Sequence, residues 1–319
     1  MISCTEFIPL YSQFFRFLEK KDGDGAVMKY WIHLSDTSIG DKTNPNSLAA
    51  KCELYGGFKG AQAYWGHTLT EEACDTLKIT NNEKKYVYSV MRYCPSKGML
   101  NSFSHIEPYH NYCEHCKVIY SRVLEKYGIT FERDHSEIAN ARCSSILYET
   151  GNKPDFDYTV PTPECIVEDE KREGKKYLHR DFHLLGDNAL CYCRDNYGME
   201  GVREFLAWFA IEYFAPKIEA FKCGGLLEVE KWLKKLYEVE EASELLHTSL
   251  ENNILTVTID KSPVIEYMHT LGKEPSNCYV EETRTVYDAI AKAAGFEFML
   301  DSYDEKSGKA SFRFCKKQI

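Results

Sequence analysis

The stretch Glu107–Ser144 (EPYHNYCEHCKVIYSRVLEKYGITFERDHSEIANARCS) aligns without gaps with Glu274–Ser311 (EPSNCYVEETRTVYDAIAKAAGFEFMLDSYDEKSGKAS). About two identities are expected by chance over such a length at ordinary residue frequencies. The identical pairs are Glu107/Glu274, Pro108/Pro275, Tyr112/Tyr279, Glu114/Glu281, Tyr120/Tyr287, Gly128/Gly295, Phe131/Phe298, Asp134/Asp301 and Ser144/Ser311. We interpret the chain as two diverged copies of one unit.

The alignment continues towards the start of each copy with small gaps. The further matches are Glu71-Glu72-Ala73 with Glu240-Glu241-Ala242, Gly56-Gly57 with Gly224-Gly225, and Phe7, Gly23 and Val27 with Phe182, Gly198 and Val202. The matches occur in the same order in both copies, and the small changes in their offset are what a few loop deletions would produce. The sequence therefore predicts a first copy at residues 1–148, a proline-rich acidic linker at 149–176, and a second copy at 177–319.

Within each copy the hydrophobic pattern changes from a helical period to the alternation of strands. The pattern predicts helices at 5–20, 25–35, 58–66 and 111–127, with strands at 86–92, 129–133 and 142–148. In the second copy it predicts helices at 181–196, 200–222, 226–240 and 280–294, with strands at 254–259, 296–300 and 310–314. We expect an α+β fold of two homologous units, each with N-terminal helices followed by a small antiparallel sheet with one helix packed on it.

Composition narrows the class of protein. Hydrophobic residues make up 44% of the chain, enough for packed cores, and the net charge of -10 disfavours nucleic acid as a partner. The sequence has no apolar run of about 18 residues, so no membrane span is expected. The first residues lack the pattern of a signal peptide, so the 13 cysteines are expected to be reduced thiols in a cytoplasmic protein.

A dense cluster of cysteines and histidines begins at His105. On the predicted helix Cys113 and Cys116 share one face, near the positive helix end that favours a thiolate, and His105 or His110 is a candidate base. Alternatively Cys113, Cys116 and a histidine bind Zn²⁺, with Cys143 added from the last strand. A third interpretation is core packing, because the second copy has Val280, Thr283 and Ala310 at the positions of the three cysteines.

A second cluster precedes the first predicted helix of the second copy. His179, His183 and Asp187 are spaced four apart, so the two imidazoles and the carboxylate are expected on one helix face. Histidines at this spacing can hold a divalent metal such as zinc or manganese. The alternative is a solvated polar face with Asp181 as the helix cap.

Three features carry a resemblance to a known family. Cys94-Pro95 closes a strand, Cys113-Glu114 opens the next helix, and Cys143 lies in the last hairpin strand. In these the chain resembles the L-2-amino-thiazoline-4-carboxylic acid hydrolase family. The resemblance implies hydrolysis of a C–N bond in a small cyclic amidine or amide, with Cys113, Glu114, His105 and His110 as the catalytic candidates.

Two other functions remain open at this point. One is a small-molecule-binding module without catalysis, related to 4-vinyl-reductase-type sensor domains, which share a cysteine-rich terminal hairpin. The other is a metal-binding interaction protein. For the hydrolase and for the binding module the expected partner is a small molecule. Assembly into a homo-oligomer is possible for all three functions.

Overall fold

A computed structural model describes residues 1–316 of the chain. The helices are α1 (Phe7–Asp22), α2 (Asp24–Leu34), α3 (Leu48–Tyr55), α4 (Gly57–Glu71), α5 (Pro95–Ser102), α6 (Glu114–Glu125), α7 (Phe182–Tyr213), α8 (Ala215–Gly224), α9 (Leu226–Val239), α10 (Pro263–Thr270) and α11 (Glu281–Ala294). The strands are β1 (Asp75–Asn81), β2 (Tyr86–Tyr93), β3 (Ile129–Asp134), β4 (Cys143–Glu149), β5 (Ile166–Glu170), β6 (Leu246–Glu251), β7 (Ile254–Ile259), β8 (Phe296–Tyr303) and β9 (Ala310–Lys316). These helices and two separate antiparallel sheets confirm the predicted α+β class.

The chain divides into two compact units that are not contiguous halves. The central unit comprises Leu18–Phe103 and Pro108–His179. The terminal unit comprises Met1–Phe17, Ser104–Glu107 and Arg180–Ile319. The first residues of the chain therefore pack with its C-terminal part, which the alignment of the two copies alone does not indicate.

The two sheets have corresponding strand orders. The central unit has the order β3-β4-β2-β1-β5, and the terminal unit has β6-β7-β9-β8, which read backwards is the order of the first four. The registers also correspond, since Met91 pairs with Cys143 and Ile259 pairs with Ala310. These matches support the proposal that the chain arose by duplication.

The segment predicted as a linker is partly built into the central sheet. Strand β5 pairs antiparallel with β1 at its edge. Phe156 and Tyr158 pack against the buried side chains of Ile79 and Tyr86. The structure differs from the prediction here because the apolar residues of 149–176 are scattered among prolines and acids, where no periodic pattern marks them.

Glycines at matched positions turn the chain between helices. Gly198 interrupts α7 with φ 72° and ψ 178°, and Gly23 precedes α2 with φ 76° and ψ -180°. A side chain at this backbone conformation is strained, so glycine is the residue that fits. The predicted end of the first helix of the second copy, before Gly198, agrees with this kink.

In each unit the helix that precedes the last hairpin packs on the sheet, as predicted, and in the terminal unit α9 contacts the sheet as well. Helix α6 buries Ile119, Val123 and Leu124 in the central unit. In the terminal unit Tyr287 of α11 lies edge to face with Phe298, with ring centroids 5.9 Å apart. Burying each large apolar side chain contributes roughly 1.5–3 kcal/mol to folding. Within residues 1–316, no helix combines the length and the apolar character needed to cross a membrane.

Candidate functional site

Four cysteines and one arginine converge between α6 and the sheet of the central unit. Cys94 caps α5, Cys113 directly precedes α6, Cys116 lies in its first turn, and Cys143 begins β4. Arg133, near the end of β3, contacts the thiols of Cys116 and Cys143. We call these five residues, together with Glu72, the cysteine–arginine cluster. Each of the six is half-buried.

Arg133 is the charged centre of this cluster. Its Nη2 atom donates to Cys143 Sγ at 3.0 Å, and its Nε atom is buried without a hydrogen-bond partner. A guanidinium stays charged in proteins and donates in a planar fork that matches a carboxylate. A buried donor left unpaired costs about 1–3 kcal/mol. An anion that accepted a hydrogen bond from Nε of Arg133 would remove this cost, which favours its binding.

His115 and Cys116 form a thiol–imidazole pair. Cys116 Sγ lies 3.4 Å from His115 Nε2, and His115 Nδ1 hydrogen bonds to the carbonyl oxygen of Tyr112. Since a carbonyl only accepts, Nδ1 carries the proton and Nε2 can accept from the thiol. Burial lowers the pKa of His115 to about 4, partly offset by the bond to Tyr112, so the imidazole is neutral at pH 7.

Glu72 supplies a carboxyl group at the same place. Its Oε2 atom accepts a hydrogen bond from Ser96 Oγ at 3.2 Å. Burial raises the pKa of Glu72, against the opposing effects of His179, Ser96, His115 and Arg133. A carboxyl group with a raised pKa is suited to donate a proton to a leaving nitrogen.

The thiols are held in the protonated form. Burial raises the pKa of Cys113 to about 12, and burial also raises the pKa of Cys116 although Arg133 lowers it. This corrects the expectation that the helix end favours a thiolate at Cys113. Desolvation of the charged form exceeds the attraction of the helix dipole, which is worth about 0.3–1 kcal/mol.

The candidate bases His105 and His110, and the catalytic candidate Glu114, each have a partner other than Cys113. His105 belongs to the terminal unit and is exposed, with Nε2 2.9 Å from the carbonyl oxygen of Tyr213. His110 is exposed and its Nδ1 lies 3.7 Å from Glu19 Oε1. Glu114 pairs with His135, whose Nδ1 lies 2.9 Å from Glu114 Oε1. These three residues therefore have surface partners of their own.

The predicted zinc ligands of the first copy are neighbours but not a ligand set. Among residues 1–316, the groups of three cysteine, histidine or acidic ligand atoms within 4.8 Å of one another do not include Cys113, Cys116 or Cys143. Arg133 lies against two of these thiols, and its fixed positive charge opposes a cation there.

The second predicted metal cluster is divided among separate partners. Helix α7 begins at Phe182, so His179 lies before it. His179 belongs to the central unit and pairs with Glu71 of the same unit, Nδ1 to Oε2, at 2.7 Å. Asp187 accepts from the backbone nitrogen and hydroxyl of Ser276 at 3.0 and 2.5 Å. His183 pairs with Glu240 at 3.1 Å. The spacing of four placed the three residues on one face only if the helix included His179.

Sequence reasoning did not single out Arg133, Glu72 or His115 as site residues. A signal for Arg133 is present, because Ile129 and Phe131 are buried and alternation directs residue 133 to the same face. The signal for His115 is its place between two cysteines on α6. A pocket of about 350 Å³ borders the cluster: Cys143 is the one member of the cluster in its wall, together with Arg92, Arg142, Asp134 and other residues. A volume of this size suits a small ligand.

Comparisons with known proteins add no relative: no family model, no curated protein and no solved structure matches the chain. The geometry of the cysteine–arginine cluster is therefore what supports a function.

Proposed function

We propose that the chain is a cysteine-dependent hydrolase acting on the C–N bond of a small cyclic amidine or amide that carries a carboxylate. The observation that supports this most is the alignment of the Cys116 thiol, the His115 imidazole and the Tyr112 carbonyl beside the guanidinium of Arg133. A nucleophile, a base and a group that orients the base are what covalent catalysis requires.

The proposed reaction starts with binding of the substrate carboxylate by the unpaired Nε face of Arg133. Cys116 then transfers its proton to His115 Nε2, and the thiolate attacks the sp² carbon. The C–N bond breaks, and the leaving nitrogen takes a proton from the carboxyl group of Glu72. Water, deprotonated by the Glu72 carboxylate, next attacks the thioester or thioimidate carbon. The departing Cys116 thiolate takes back the proton held by His115, so all three groups return to their starting forms.

The positive charge of Arg133 has a second role in this scheme. It lowers the pKa of Cys116 against the larger effect of burial. A bound carboxylate neutralises part of that charge and so weakens this lowering of the pKa. The thiol therefore stays protonated until it gives its proton to His115 as it attacks the sp² carbon.

The test is turnover of a matched compound pair by the purified full chain. One compound is 2-amino-thiazoline-4-carboxylate, and the other has the same ring without the carboxylate. We expect product from the first and at least about 100-fold less kcat/KM with the second, since a charge-assisted bidentate contact is lost. Equal rates for both compounds would contradict the role of Arg133, and no turnover of any cyclic amidine or amide would contradict the hydrolase.

A second candidate is binding of the same class of ligand without turnover. It is favoured by the raised pKa of Cys113 and of Cys116, because neither thiol is ionised at neutral pH. Calorimetry distinguishes the two functions. A carboxylate ligand that binds with measurable heat and is recovered unchanged supports a binding module.

A further inference from the structure

Three buried side chains of the terminal unit converge outside the cysteine–arginine cluster. Cys4 lies in a short 3₁₀ turn before α1, His183 lies in the first turn of α7, and Glu240 directly follows α9. One ligand atom from each lies within 4.8 Å of the other two. All three residues are buried, with relative exposures of 0, 6 and 1%.

The three side chains are linked through one carboxylate. Glu240 Oε1 accepts from the backbone nitrogen of Cys4 at 2.6 Å, and Glu240 Oε2 lies 3.1 Å from His183 Nε2. The thiol of Cys4 also hydrogen bonds to Glu240. The Glu240 carboxylate thus accepts hydrogen bonds from a thiol and an imidazole at a buried position. A cation bound there can replace the two hydrogens.

We propose that Cys4, His183 and Glu240 bind one Zn²⁺ ion. Zinc binds thiolate, imidazole and carboxylate at about 2.0–2.3 Å, and tetrahedral angles then separate its donors by about 3.3–3.8 Å. The 3.1 Å between His183 and Glu240 and the 4.8 Å limit for the triad are close to these separations. Binding releases the thiol proton of Cys4 to solvent, and His183 coordinates through Nε2 as neutral imidazole with its hydrogen on Nδ1.

The chemistry of the donors selects the ion. One sulfur, one imidazole nitrogen and one carboxylate oxygen suit zinc, whereas magnesium and calcium prefer oxygen alone. The thiolate and the carboxylate together balance the charge of a dication. A cation is therefore better matched here than at the cysteine–arginine cluster, where Arg133 supplies a fixed positive charge.

Zinc at this place would fasten the first residues of the chain to α7 and to the end of α9. The same segment already donates backbone hydrogen bonds from Ile2 to Glu282 Oε2 and from Ser3 to Glu6 Oε2, each at 3.1 Å. Because the ligands come from three elements of the terminal unit, the ion would raise the stability of the whole unit.

The experiment uses the full chain produced in zinc-supplemented medium and its Cys4→Ser variant. Inductively coupled plasma mass spectrometry should find about one zinc ion per chain in the wild type. The metal-free protein should have a lower melting temperature than the zinc-loaded protein. Loading the metal-free protein with Co²⁺ should produce a thiolate-to-cobalt charge-transfer band that Cys4→Ser lacks. The control variants Cys223→Ser and His247→Gln change exposed residues and should keep both metal and band.

The proposal is overturned if dialysed wild-type protein retains no zinc and gives no cobalt band, or if the band persists in folded Cys4→Ser. Circular dichroism shows whether that variant folds. If it does not fold, X-ray absorption of the zinc-loaded wild type decides, since one sulfur donor supports the site and none or two contradict it.

Discussion

The cysteine–arginine cluster and the matching place in the terminal unit have the same scaffold and opposite contents. Cys94 and Ser262 each cap a short helix that begins with proline, accepting from the backbone nitrogen three residues later. Yet the positions of Arg133, Cys116 and Cys143 hold Leu300, Thr283 and Ala310 in the terminal unit. The tyrosine of the sheet-packed helix is retained in both, as Tyr120 and Tyr287.

The matching place of the terminal unit is also filled by the chain itself. The nitrogen of Met1 lies 3.2 Å from Thr283 Oγ1 and 3.1 Å from the hydroxyl of Tyr287. Residues 1–4 are all buried. The comparison teaches that one scaffold can hold a charged cluster of polar side chains or bury a segment of its own chain, depending on a few side chains that face it.

The largest effect is expected from Cys116→Ser, set against Thr283→Ser at the matching position. A serine hydroxyl is a far weaker nucleophile beside a neutral imidazole, so kcat should fall by about 10³-fold or more, as for loss of an activated nucleophile. Thr283→Ser should leave kcat unchanged. Steady-state hydrolysis assays measure both, and a Cys116→Ser enzyme of normal rate would show that the thiol is not the nucleophile.

Next in size is an opposite pH dependence of stability at two aligned positions, His115 and Glu282. Burial lowers the pKa of His115 to about 4 and raises that of Glu282 to about 7. The unfolded chain therefore binds the extra proton at His115 between about pH 4 and 6.5, and stability from this residue is lost as pH falls through that window. At Glu282 the folded chain holds the proton between about pH 4.5 and 7, so its contribution is lost as pH rises.

Each shift corresponds to about 3 kcal/mol at full development. His115→Gln should flatten the loss of stability towards pH 4, and Glu282→Gln should flatten the loss towards pH 7. Urea unfolding at intervals between pH 4 and 8 measures both slopes. Slopes that the two substitutions leave unchanged would show that these groups do not carry the dependence.

The third prediction concerns Arg133→Leu, which gives the cluster the residue that the terminal unit has at the aligned position, Leu300. Binding of a small carboxylate should weaken by about 100-fold, because the charged donors are removed. Arg133→Lys should retain part of the affinity, and Arg313→Leu, at an exposed pair with Asp301, should retain all of it. Titration calorimetry measures the affinities, and unaltered binding by Arg133→Leu would place the anion elsewhere.

The smallest effect compares the two glycine turns, Gly23 and Gly198. Alanine at either position should lower the free energy of unfolding by about 1–3 kcal/mol, since φ is near 75° with extended ψ. Gly66→Ala, inside α4 with open space around its added methyl group, should instead be neutral or stabilising by up to about 1 kcal/mol. Chemical denaturation measures all three, and unequal losses at the two turns would weaken their equivalence.

Local pattern was sufficient for most helices and for the hairpin strands. Helices α6 and α11 and strands β3, β4, β8 and β9 lie close to their predicted bounds, because each has a strong period and a turn residue such as Gly128 or Gly295. Strands β1, β5 and β6 and helices α3, α5 and α10 were not predicted. Strands β1 and β6 each have only two large apolar residues among polar ones, and each of the three helices is only eight residues long.

The site was predictable only in part, and the cysteines of α6 were the part that local spacing could indicate. The sequence by itself determined the internal repeat, which needs only the comparison of two stretches of sequence. It also determined the α+β class and the shared face of Cys113 and Cys116, because these depend on neighbours a few residues apart. Only the tertiary structure decided that Arg133 meets Cys116 and Cys143, and that Cys4 meets His183 and Glu240. Those contacts join residues far apart in the chain, and their geometry depends on strand register and on which segment fills each core.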